Sequence, residues 1–186
     1  TEVGPVDNAT GFPFWFGDGG DSQEGLDPLR LELCLDDQQD ALCPVVGDRP
    51  NPAAPLSVPE NFPDESFWWS GEATIQPAGG PRARLVLAQE AAFGGVGDVA
   101  VGQQVAFSRL RIRIDGLPNG TSYHVTTPYG ERDVEADDRG RVFVTEDQGC
   151  MAPPCGFEAG LNGEVGPFLR WDGGAPDGYV GDPNVE

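Results

Sequence analysis

Glycine and proline set the first limit on what this chain can fold into. Its 186 residues include 27 Gly and 18 Pro, so about a quarter of the positions break helices or force turns. That density disfavours a helical bundle and favours many short strands joined by turns. A chain of this length buries roughly 70% of its unfolded surface when it folds, enough for a proper core. The expected organisation is one domain over 1–186, with an irregular aromatic-rich segment over 1–28 and a proline-rich arm over 44–66. Six prolines fall between Pro44 and Pro63. No regular element survives that spacing, so the arm is expected to run extended and partly as polyproline II.

The strands come from alternation. Leu29, Leu31, Leu33 and Leu35 share one face, with Arg30, Glu32 and Cys34 on the other, as in a half-buried strand. Further strand patterns follow Phe67-Trp68-Trp69 over 71–75, then run over 82–90, 105–114, 121–127, 131–136 and 141–145, with another around 167–171. Val105 and Phe107 share one parity and Leu110, Ile112 and Ile114 the other, which places a bulge near Ser108. Short strands at this spacing predict a meander within a β-sandwich. Arg109, Arg111 and Arg113 fall opposite the isoleucines. They read either as an anion site or as cover that neutralises neighbouring carboxylates.

The charge excludes several functions. Eleven arginines, no lysine and one histidine face thirty-one acidic residues, for a formal charge of −20. The missing lysine also fits a GC-rich genome. Phosphate binding needs clustered Lys and Arg, and along the sequence no basic stripe exists, so nucleic acid is not expected as a partner. The same charge opposes docking on an anionic membrane. No stretch approaches the ~20 apolar residues of a membrane span, so no insertion is expected.

Cys34 and Cys43 enclose eight residues, and Cys150 and Cys155 enclose four. Two short-loop disulfides are expected, each contributing ~2–3 kcal/mol, which implies an oxidising compartment. The competing reading is a four-thiolate zinc site, but the C-x2-C spacing usual there is absent. The first residue, Thr1, suits a mature chain whose leader has been removed. A secreted or cell-surface protein is therefore expected.

Leu117-Pro118-Asn119-Gly120-Thr121-Ser122-Tyr123 resembles the tyrosine corner of fibronectin type III and immunoglobulin-like domains, with Asn119 inserted. The resemblance spans about 109–141. It implies an all-β, loop-rich sandwich of that type, with Leu117 and Tyr123 forming a structural corner in which the Tyr hydroxyl returns to upstream backbone. It carries no activity. More widely, the chain resembles a group of uncharacterised secreted actinobacterial proteins. The resembling stretches are Gly11 to Phe16, Leu29 to Asp36, Phe62 to Trp69 and Gly166 to Asp172. Proteins of that group continue further, so the resemblance implies that Glu186 is a boundary and that a terminal strand is missing or supplied by a neighbour.

Two aromatic clusters stand out: Phe12, Phe14, Trp15 and Phe16, and Phe67, Trp68 and Trp69. They read as core, as a subunit interface, or as a platform on which sugar rings stack. The acidic groups do not fit an EF-hand loop. Solvated turns are their default reading, with the 172–182 loop (Asp172, Asp177 and Asp182) or the 133–138 turn as calcium candidates. Beyond calcium, no cofactor is expected. His124 is the only histidine and has no nucleophile elbow to serve. Asn8-Ala9-Thr10 and Asn119-Gly120-Thr121 match the glycosylation pattern, but Asn119-Gly120 reads first as turn chemistry.

The expected protein is non-enzymatic. It would be an extracellular structural or adhesive module of a bacterial surface or secreted assembly, acting by contacts with other protein subunits, its own copies included. The alternative is a carbohydrate-binding module whose exposed Trp and Phe hold polysaccharide, aided by calcium.

Overall fold

The structure is a computed structural model that describes residues 2–20, 22, 23, 25, 27–35, 43, 45, 50–95, 99–163 and 165–170. Nine strands and one short 3-10 helix are built from them. The strands are β1 (Glu2–Val3), β2 (Trp15–Gly17), β3 (Arg30–Glu32), β4 (Ser66–Ile75), β5 (Arg82–Phe93), β6 (Gln104–Asp115), β7 (Ser122–Thr127), β8 (Gly130–Glu135) and β9 (Arg141–Cys150), and the helix is η1 (Phe157–Asn162). They form three antiparallel sheets, ordered β1-β2-β3, β4-β5-β6-β9 and β7-β8. The all-β expectation therefore holds at the level of several antiparallel sheets joined by turns.

The four-stranded sheet organises the rest. On one of its faces, strand alternation collects Leu87 from β5, Leu110, Ile112 and Ile114 from β6, and Val142 from β9. The β7-β8 hairpin lays Val134, with half-buried Tyr123 and Val125, over that half of the face. On the other half, Ala91 and Ala106 join Phe12, Phe16, Leu33, Leu35, Phe62, Trp68 and Phe168 in a second, aromatic core. Each large side chain buried in this way stabilises the fold by about 2–3 kcal/mol before entropy is counted.

The proline arm carries no strand or helix among its described residues before Ser66, where β4 begins. It is anchored by Phe62, which is 2% exposed, and by half-buried Leu56 and Val58. The leucine alternation holds as a buried face, although β3 itself is short: Leu33 and Leu35 are buried and Leu29 and Leu31 half-buried.

Three expectations are corrected. β6 pairs without a register break with both β5 and β9, so no bulge lies near Ser108. The parity switch arises because this end of β6 is covered on both faces, with Val105 and Phe107 buried on one side and Ala106 on the other. The register shift lies instead in β4, between Phe67 and Trp69. The meander is also corrected, because β9 returns to pair with β6 and not with β8. The stretch before residue 171 forms no strand among its described residues.

Candidate functional site

Both local disulfides are formed, Cys34–Cys43 with Cα atoms 5.4 Å apart and Cys150–Cys155 with 5.5 Å. The zinc alternative is thereby removed. Asp172, Asp177 and Asp182 lie outside the described residues. Among the described residues, no group of three His, Cys, Asp or Glu is placed to hold a metal. No described helix is long and apolar enough to cross a membrane.

Three of the seven candidate aromatic residues are buried in the core. Phe12 and Phe16 are fully buried and Trp68 is 3% exposed, its indole N–H donating to the Pro13 carbonyl at 3.0 Å. These three have no face to offer a sugar or a subunit, because nine strands of modest length need large rings to fill their core. Trp15 carries the Arg30 guanidinium 4.4 Å above its ring, and Trp69 stacks on Phe168 at 5.6 Å. Phe67 lines a groove described below, and Phe14 is exposed.

In the corner motif, Leu117 is half-buried against the hairpin core and its N–H donates to Gly140. Gly140 has φ +70° and sits against the Leu117 carbonyl, so no side chain fits there. Tyr123 packs on the same core, and its hydroxyl makes no hydrogen bond among the described residues. The tyrosine hydroxyl that fastens separate segments is that of Tyr129, which donates to the Pro167 carbonyl at 2.5 Å. Beside it Asp18, with its side chain fully buried, accepts from the N–H groups of Gly20, Leu29 and Phe168 and from Arg170. Burial pushes the Asp18 carboxyl up. The bonds from Leu29, Arg170 and Gly20 outweigh that, so the group stays below its ordinary value.

A partly buried charge cluster sits on the sheet face away from the hairpin. Arg109 makes a two-pronged contact with Asp147 at 2.7 and 2.8 Å. Its Nη1 lies 2.8 Å from Glu90 Oε2 and 3.6 Å from Glu65. The approach to Glu90 is close but off the donor direction, leaving Oε2 an ion-pair partner without a directed hydrogen bond. Burial raises the Glu90 carboxyl to about 7, although Arg109 pulls against it. The cluster borders a groove of about 710 Å³ walled by Phe67, Phe93, Val105, Phe107 and Met151. Arg109 already fills the position a cation would take among these carboxylates, so the cluster is a self-contained ion network.

Beyond Arg109 the same sheet face is open, and its residues follow from register. One cross-strand row holds Arg82, Asp115 and Arg141; the next holds Thr74, Arg84, Arg113 and Phe143; the next holds Glu72, Val86, Arg111 and Thr145. Five of the eleven arginines therefore stand together. All are exposed except Arg111, which is half-buried, and Phe143 is 66% exposed. Glu72 pairs with Arg84, Asp115 with Arg113 at 3.5 Å, and Asp137 with Arg141 at 2.9 Å, whereas Arg111 donates to the Thr145 hydroxyl at 3.1 Å and lies 5.8 Å from the centre of the Phe143 ring. The expectation that no basic stripe exists is corrected: it holds along the chain and fails across the sheet.

The outer face of the hairpin is its opposite. With Tyr123, Val125 and Val134 turned inward, alternation turns Glu131, Asp133 and Glu135 outward beside Ser122, His124 and Thr126. Asp133 is 87% exposed at its side chain. His124 bridges two of the three acids, with Nδ1 2.9 Å from Asp133 and Nε2 3.3 Å from Glu131. The hydrogen bond with Asp133, joined by the charges of both acids, holds the imidazole above its ordinary value.

The arginine pairs at 82/84 and 111/113 are visible in the sequence as alternation, and three of these five residues were not singled out there: Arg82, Arg84 and Arg141. What joins them is the register of three strands, which no local pattern states. Comparison with protein-family models, curated proteins and solved structures gives no match.

Proposed function

We propose that this chain is a non-enzymatic extracellular structural module of a secreted or surface assembly, working by protein–protein contact with its own copies among the partners. Two disulfides in a chain this small suit an oxidising compartment. The observation that carries the contact reading is the open sheet face. A sheet face with exposed Phe143 among five arginines stands out on a chain of net charge −20. Aromatic residues and arginines are the side chains enriched in protein interfaces. The outer strand β4 adds an edge, bridged only at Phe67 to Cys34 among the described residues. Burial of Phe12, Phe16 and Trp68 leaves a glycan platform only Phe14, Trp15, Phe67 and Trp69 of the seven aromatic residues named for it.

The test is the mass of the oxidised chain in solution by light scattering at rising concentration. A mass that climbs above 19.7 kDa supports the reading. A constant 19.7 kDa up to the highest attainable concentration contradicts self-contact.

A further inference from the structure

The two outer faces of the molecule carry opposite charge in matching geometry. The basic face, from Arg82, Arg84, Arg111, Arg113 and Arg141 with their acidic neighbours Glu72, Asp115 and Asp137, carries a formal charge of +2. The remainder of a chain of net charge −20 then holds −22. On the hairpin, Glu131, Asp133 and Glu135 repeat every second residue, about 7 Å apart, which is the spacing of Arg111 and Arg113 on β6. The hairpin packs its inner face on one side of the sheet, and the arginines occupy the other side. The acidic stripe and the basic face therefore point in opposite directions. Arg84 and Arg113 stand directly opposite each other on neighbouring strands, a like-charge arrangement that costs stability by itself.

Resting on the contact-module reading above, we propose that the basic sheet face docks on the acidic hairpin face of a second copy, so that copies stack head to tail. The partner is a second copy because the complementary surface is already present on this chain. Such a contact is heterologous, uses different patches on the two copies, and leaves one of each free to continue the stack. A two-stranded ribbon of six residues per strand covers roughly 20 by 10 Å. That is far below the ~800 Å² per partner of a standard stable interface. The stacking is therefore weak in dilute solution and favoured where copies are held close together. Salt acts twice. Whole-chain repulsion is screened beyond a Debye length of ~8 Å at physiological ionic strength, whereas excess salt weakens the face-to-face pairs. Association passes through a maximum at intermediate salt.

The experiment uses charge reversal on each face of the full oxidised chain. One variant carries Arg84→Glu and Arg113→Glu; the other carries Glu131→Arg and Asp133→Arg. All four positions are exposed, and circular dichroism with thermal melting checks each fold, with Arg84→Gln/Arg113→Gln as a milder face variant. The expected result is concentration-dependent mass for the wild type, 19.7 kDa for each reversed variant alone, and recovery of higher mass when the two are mixed. Only complementary faces give that recovery. If both reversed variants associate like the wild type, the stacking proposal fails and the contact reading survives. If the wild type stays at 19.7 kDa, both the stacking and self-contact fail. If the wild type instead binds DNA or a polyuronate through these arginines and does not self-associate, the face belongs to an anionic polymer and the proposal is overturned.

Discussion

Arg84 and Arg113 are cross-strand partners on the open face of the sheet, and Phe143 extends the same row. Each guanidinium has its own carboxylate, Glu72 for Arg84 and Asp115 for Arg113. Two like charges placed opposite each other repel, so removing one relieves the sheet. The Arg113→Thr variant is expected to melt no lower than the wild type, and to associate less. A clear drop in Tm with unchanged association would mean that the arginine pair serves the fold and not a contact.

The buried Glu90 gives the fold a stability that falls as pH rises. Its folded-state value is about 7 against 4.5 for the ordinary group. The folded state therefore prefers the protonated acid. This contribution is complete below about pH 4.5 and is lost as pH climbs through about 7. The loss is about 3 kcal/mol, at ~1.4 kcal/mol per pH unit. Urea unfolding at pH 5 and pH 8 should show this fall in the wild type and not in Glu90→Gln. An identical pH dependence in the two proteins would contradict the assignment.

Asp18 works in the opposite direction. Its carboxylate is held low by the Leu29, Arg170 and Gly20 bonds against the opposing effect of burial. Its contribution is present above the unfolded-state value and disappears as pH falls through the folded one. Asp18→Asn leaves Arg170 half-paired in a buried setting, which costs about 3 kcal/mol. It should also loosen the segment around Phe168, whose N–H it holds at 3.1 Å. Hydrogen exchange at residues 165–170 reads this directly, and unchanged protection there would count against the role.

His124 makes the acidic stripe sensitive to pH. Protonation takes the outward charge of Glu131, Asp133 and Glu135 from −3 to −2. Stacking should weaken as pH falls through the raised imidazole value. In His124→Gln that pH step should vanish. If the step persists, another group is responsible.

Much of the strand set was legible in the sequence, because alternating leucines, isoleucines and arginines state which side of a strand is wet. The seven strand patterns from Leu29 to Thr145 all reappear as strands: β4, β5, β6 and β9 run longer than their patterns, β3 and β7 are shorter, and β8 is shifted by one residue. What misled was Val105 and Phe107: an apolar pair on the second face read as a bulge, although that end of β6 is simply covered on both sides. The aromatic residues were legible as important, while their burial depends on which elements fold over them. The basic face was the least legible feature. Arg82, Arg111 and Arg141 lie far apart in sequence and meet only through the register of β5, β6 and β9.

The central claim is that one copy's sheet face recognises another copy's hairpin. The most direct measurement is light scattering of the two charge-reversed variants, first apart and then mixed in equal amounts. The account predicts 19.7 kDa for each alone and a larger, concentration-dependent mass for the mixture. A mixture that stays at 19.7 kDa while the wild type associates would contradict it.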